Sequence, residues 1–412
     1  MKFSLKNLFS QGANERTAQL HFRKNAPTVA QVNGRQICFF AAFFLPVAKT
    51  LEAPARLSKY AAGDLLAPAI LHFLLQGGII FALALLISML DKPLLSAIAE
   101  RFGEWSARLF CFLYAGYFLF SALLPLLDLE KFVYAAFYDT APTNFTFAPF
   151  FLLCGYVCLK GLKAVGRAAD LSIFLFLIPF FAVILMSVGQ TDFSAVLPIF
   201  GEPIAKLGNA FLKSTPHFSD AALFLPLFCA YKPKKGDVKK ITLSYFGGAL
   251  AVLLVLAVFF GLYTSLAPRE HYAFIKIAQF FPALNVLGRI DLLFVYLLTV
   301  LLFFNACLPL LYSVELFSTG IDSNKRVLPS VILNVGLFFF VLYCNRFYNG
   351  FYAFYERAFP VFWTFSIAVP LMLFLALYRK KRQNDGGRYA TKLNLKQKSE
   401  KKSAKNKGEN YA

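Results

Sequence analysis

Charge is scarce in this chain: 16% of its 412 residues are Asp, Glu, Lys or Arg. Histidine is scarcer still, with only His21, His72, His217 and His271, none adjacent to another. That scarcity argues against a metal-hydrolase centre, and HExxH, GxSxG and phosphate-loop patterns are all missing. No catalytic residue, metal site or cofactor is expected. Strict apolar–polar alternation over about ten residues is also lacking, which excludes a membrane β-barrel. No cleavable signal sequence is expected, because the first apolar run begins near Ile37, behind a polar, basic leader.

What is present is apolar: 58% of residues are hydrophobic and 17% aromatic. Runs such as LSIFLFLIPFFAVILMSVG and LLFVYLLTVLLFFNACLPLL are long enough for helices of about 20 residues to cross the hydrocarbon core. The fold expected is therefore all-α and integral to the membrane. Ten spans are read, at about 36–62, 65–90, 106–128, 147–162, 170–189, 204–231, 241–265, 290–317, 328–345 and 359–378. The seven cysteines fall almost entirely within these runs and read as small buried hydrophobes.

The net charge of +20 is concentrated in a tail beyond Arg379 and in alternate short loops, such as Lys160, Lys163 and Arg167, or Lys232 to Lys240. That is a topology signal rather than a nucleic-acid surface. Both termini are placed on the cytoplasmic side. Residues 1–34 read as a basic leader, 35–379 as the membrane domain and 380–412 as a disordered basic tail. The tail reads either as attracted to anionic membrane lipid headgroups or as a solvated positive-inside anchor.

Two stretches break the pattern. Residues 48–64 carry Lys49, Glu52, Arg56, Lys59 and Asp64, behind an apolar run (ICFFAAFFLPVA) too short to cross alone. In the sixth span, KSTPHFSD precedes another short apolar run, AALFLPLFCAY. Prolines flank or enter both interruptions, and polar backbone survives at membrane depth only where protein or a wet cavity covers it. Interrupted first and sixth spans are the sequence mark of a 5+5 inverted-repeat transporter fold, with repeats of about 35–190 and 200–379 and a ligand held between the breaks. Gly77-Gly78 and Gly247-Gly248 in spans two and seven predict close helix approach.

Several segments resemble the permease-like B subunits of bacterial spore-germination nutrient receptors, in the amino acid–polyamine–organocation transporter superfamily. They are GYVCLKGLKAVGRAADL, DFSAVLPIFGEPIAKLG, LPLFCAYKPKK and FPALNVLGRIDLLFVYLLTVLLFFNACLPLL, and the likeness extends over residues 35–380. The resemblance implies a germinant pocket for a small nutrient such as an amino acid and residence in the bacterial spore inner membrane. It also implies assembly with an A subunit and a lipoprotein C subunit. This sequence departs from the family at the first break, where VAKTLEAP has charge in place of small residues and Lys49 offers a positive group to a ligand.

Candidate pocket residues are Lys49, Thr50, Leu51, Glu52 and Ala53 at the first break, and Thr215, His217 and Asp220 at the second. Tyr114 and Tyr117 on span three, and Tyr296, Thr299 and Asn305 on span eight, complete the set. Glu52 either lines the pocket or pairs locally with Lys49 or Arg56. Asp128 and Glu130 are expected to end span three, Arg289 and Asp291 to form an ion pair opening span eight, and Glu315 to snorkel toward water. Three functions remain open: a nutrient receptor, a secondary transporter of amino acids, and a non-binding structural subunit.

Overall fold

The computed structural model describes residues 32–44, 48–50, 53–90, 92–137, 143–270, 272–279, 291–321 and 326–379. Among them there is no strand. In chain order the helices are α1 (Gly34–Phe39, continued by a π-helical turn Phe40–Phe44), α2 (Ala53–Ala61), α3 (Leu66–Met89), α4 (Leu94–Phe102), α5 (Glu104–Phe137), α6 (Thr143–Lys160), α7 (Leu162–Val188) and α8 (Ile204–Ser214). There follow α9 (Asp220–Ala230), α10 (Lys235–Tyr263), α11 (Ala273–Gln279), α12 (Asp291–Gly320), α13 (Val327–Asn345), α14 (Tyr348–Arg357) and α15 (Phe359–Arg379).

Among the described residues, five helices are long and apolar enough to cross a membrane by themselves, and a sixth if the bent pair α6–α7 counts as one crossing. The 24 residues of α3 carry no charge and rise about 36 Å, more than the hydrocarbon thickness. The expected leader 1–34 and tail 380–412 lie almost wholly outside the described residues.

Helix ends differ from the expected spans where charge continues on a helical face. The sequence places the end of the third span at 128, but α5 runs on to Phe137 past Asp128 and Glu130, both buried. Asp128 accepts from the Tyr348 hydroxyl at 2.7 Å, and Glu130 accepts from Asn345 Nδ2 at 3.3 Å. With partners waiting on α13 and α14, these carboxylates do not end the helix. Likewise α7 begins at Leu162 and carries Lys163 and Arg167 within it.

The packing follows an internal symmetry. α5 lies along α12, α3 along α10, and α6 along α13. In the five-plus-five reading these are spans three with eight, two with seven, and four with nine. Three helices are thus packed on their counterparts in the other half, and α2 of the first interrupted span lies against α8 of the sixth.

Of the glycine pairs, Gly77 meets the close-approach expectation: a Cβ there would fall 2.5 Å from the Phe246 ring of α10. Gly78 and Gly247 face open space, so at those two positions the expectation fails. Gly78 lines an apolar groove of about 270 Å³ between α3 and α15, with Leu74, Leu371 and Phe374. This groove is apolar throughout and is not the site described below.

Candidate functional site

Both interruptions are present. The first span is two pieces, α1 and α2, with a 3₁₀ turn at Ala48–Thr50 between them. Pro54 sits in the first turn of α2, where its missing N–H costs nothing. In the sixth span α8 ends at Ser214, a 3₁₀ turn covers Thr215–His217, and α9 begins at Asp220. Pro216 occupies that turn, and the Phe218 N–H returns to the Thr215 carbonyl at 2.9 Å.

The two breaks meet through charge. Lys49 Nζ lies 2.6 Å from Asp220 Oδ1, and both side chains are almost completely buried, at 3% and 2% exposure. The second Asp220 oxygen accepts from the Tyr245 hydroxyl of α10 at 2.7 Å. Asp220 opens α9, where a carboxylate is also favoured by the helix dipole. The Phe73 and Phe218 rings lie 6.0 and 5.7 Å from Lys49 Nζ. They contact one another edge to face, at a centroid distance of 5.3 Å.

α3 supplies the next layer. Gln76 Oε1 accepts from the Ala221 N–H at 2.9 Å, satisfying one of the free donors at the start of α9. Gln76 Nε2 is buried with no partner among the described residues. One turn earlier, His72 stacks between Phe211 and Phe218, at 4.0 and 4.7 Å. Its Nε2 lies 2.9 Å from the Phe211 carbonyl and 3.0 Å from Ser214 Oγ.

A second polar layer closes one end of the site. His217 approaches the Tyr352 hydroxyl at 3.2 Å, and the Arg56 guanidinium lies 3.6 Å from the Tyr352 ring centre. Tyr60 hydrogen-bonds Glu356, and Lys213 lies 4.9 Å from the Tyr60 ring centre. This layer joins α2, α8 and α14. Thr215 Oγ1 accepts from Trp363 Nε1 at 3.1 Å, which ties the second break to α15.

Among the sequence-selected residues, Lys49, Asp220, Thr215 and His217 therefore converge at the breaks, with Thr50 and Ala53 buried beside them. Tyr117 is buried and stacks on Phe365 at 4.6 Å. Tyr114 is directed elsewhere: its hydroxyl donates to the Phe365 carbonyl at 2.9 Å, in the π-helical turn Thr364–Ala368, so it joins α5 to α15. Leu51, Glu52 and Arg289 lie outside the described residues, as do the side chains of Tyr296, Thr299, Asn305 and Asp291. Glu315 does not snorkel. It pairs with Arg326 at 3.2 Å and accepts from the Leu162 N–H at 3.4 Å, because the start of α7 and a guanidinium are both within reach. Asp64 is buried, and its two oxygens accept from the Phe200 and Glu202 N–H groups at 2.8 and 3.2 Å.

Sequence reasoning missed Tyr245, Phe73, Phe218, His72 and Gln76. A signal existed for the last two: polar residues four apart in an otherwise apolar helix share a face.

Among solved structures, the chain resembles MhsT in complex with L-phenylalanine, with a TM-score of 0.56 at 14% identity over 83% of this chain and 86% of that one. It also resembles a mutant of the Eremococcus coleocola manganese transporter, with a TM-score of 0.50 at 14% identity over 85% and 80% of the two chains. At such identity the likeness concerns the fold: an all-α inverted-repeat transporter architecture with discontinuous first and sixth helices. No functionally curated protein matched the sequence. The spore germination protein family model matches residues 65–349, which span α3 to α13 and include the second break with its α3 and α10 supports. The chain is a permease-like member of the spore germination protein family.

Proposed function

We propose that this chain is the permease-like subunit of a spore germination receptor, which binds a small polar nutrient between the two helix breaks and relays binding to its partners. The reading rests on the buried Lys49–Asp220 pair, which joins the breaks inside an apolar bundle. Ionisable groups buried at membrane depth are costly and concentrate at ligand pathways. In this reading Lys49, Thr50, Thr215, His217 and Asp220 bound the guest, with Tyr117 behind them. A nutrient shifts the subunit between conformations only by binding one of them more tightly. Separation of the two breaks is the movement its differential contacts favour.

Both termini face the cytoplasm, and the α2–α8–α14 layer closes the outer mouth. The partners are an A subunit and a lipoprotein C subunit in the spore inner membrane. An amino acid-like molecule is the expected guest. Deleting the gene in a spore-former, with its paralogues removed, should abolish germination to at least one nutrient. A germination response intact to every nutrient tested would overturn the assignment. A secondary-transporter reading draws on the fold likeness. Reconstituted vesicles that accumulate labelled amino acid would favour it, and binding without uptake would favour the receptor.

A further inference from the structure

The surroundings of Lys49 Nζ are those of a recognition site for a primary ammonium. A carboxylate oxygen of Asp220 lies at 2.6 Å, and a phenol, Tyr245, holds the other carboxylate oxygen at 2.7 Å. Two aromatic rings, Phe73 and Phe218, lie within 6.0 Å of the nitrogen. A carboxylate and ring faces gathered around one cation is how proteins hold alkylammonium ligands. All four groups are buried, at 2% exposure or less, and they come from α3, α9, α10 and the second break, not from the segment that carries Lys49.

We propose that Lys49 is an internal ligand: its ammonium fills a primary-ammonium seat built by Asp220, Tyr245, Phe73 and Phe218, so that a guest brings a carboxylate or similar acceptor and needs no ammonium of its own. The statement about the guest rests on the receptor reading above; the seat does not. Both oxygens of Asp220 are engaged, and a second ammonium beside the first would meet like charge in a buried site. An acceptor meets an Asp220 carboxylate whose charge is already countered by Lys49 and capped by the Tyr245 hydroxyl. Lys49 is positive, and Gln76 Nε2 is a buried donor with no partner among the described residues. The Gln76 orientation is fixed, since its oxygen is committed to the Ala221 N–H at the start of α9. An acceptor group placed there satisfies that donor and faces the positive end of an eleven-residue helix.

The test uses the purified full chain in lipid nanodiscs, with the unfolding midpoint as readout. Lys49→Ala removes the internal ligand. Ethylammonium and n-propylammonium should then raise the midpoint saturably, by several degrees, through binding to the folded state. Equal sodium chloride and n-propanol should not. The wild-type chain, whose seat is filled, and a Lys49→Ala/Asp220→Asn chain, whose seat has lost its charge, should show no amine effect. Equal responses of wild type and Lys49→Ala, or no response of Lys49→Ala, would overturn the seat. If Lys49→Ala does not fold alone, it is prepared with and without the amine; recovery only with amine supports the seat, and no recovery in either overturns it.

A second arm treats the wild-type chain with short carboxylates, the matching α-amino acids and the matching amines. The proposal expects at least one carboxylate to stabilise as well as its amino acid, and no amine to do so. Stabilisation by amino acids but never by their carboxylates would overturn the statement about the guest. If no member of the panel stabilises, the small-nutrient reading fails, while the seat is judged by the Lys49→Ala response.

Discussion

At the scale of single residues, three positions separate local fit from the fold at large. Asp64 caps the loop ahead of α8 by accepting two backbone N–H groups, at Phe200 and Glu202. Hydrogen bonds to a charged acceptor contribute about 1.5–3 kcal/mol each. Asp64→Ala should therefore lower the stability of the purified protein by roughly 3 kcal/mol in denaturant unfolding. Asp64→Asn, which still offers one acceptor oxygen, should lose less. The glycine pair of α3 gives a matched comparison. Gly77→Ala drives a methyl into the Phe246 ring and should destabilise by about 1–3 kcal/mol. Gly78→Ala meets nothing within 4 Å and should be neutral, or stabilising by up to about 1 kcal/mol through helix propensity.

At the scale of elements, the turn between α6 and α7 is the clearest device. The chain bends by 108° at Gly161, whose φ of +76° is a left-handed conformation that glycine adopts without strain. The Arg326 side chain fills the space a Cβ would take there, and the Glu315 carboxylate holds both Arg326 and the first N–H of α7. This latch joins α7, α12 and the residue that precedes α13. Removing it with Arg326→Ala should loosen the turn and expose Cys158, which is fully buried one turn before the bend. Alkylation of Cys158 by a water-soluble maleimide, followed by peptide mass spectrometry, should rise several-fold; an unchanged rate would remove the latch role. The latch was not legible in the sequence. Glu315 near the end of an apolar run looks the same whether it reaches water or a partner, and the partner comes from another helix. The true ends of α5 and α7 were hidden for a related reason: hydropathy falls where charges appear, but helical hydrogen bonding does not.

At the scale of the molecule, the account is one of paired halves. Spans two and seven, three and eight, and four and nine pack on one another, and spans one and six are joined by an ion pair. The interruptions themselves were legible, because prolines and charges cut apolar runs of about twelve residues, too short for a crossing. Which group Lys49 would choose was not. Its sequence neighbours Glu52 and Arg56 frame a local reading, whereas Asp220 is 171 positions away and reaches it only once the halves pack. Tyr245 was lost for another reason, as a polar residue averaged away by an apolar helix, whereas His72 and Gln76 were marked only by their four-residue spacing on one face of α3.

The central claim, that the two breaks are held together by Lys49 and Asp220, is tested most directly by a double-mutant cycle on unfolding free energy with Lys49→Met, Asp220→Leu and the pair. Each single change leaves an uncompensated buried charge and should cost about 3–5 kcal/mol. The double change removes both charges and should cost far less than the two singles combined. Costs that add to within about 0.5 kcal/mol would show two independent residues and would contradict the account.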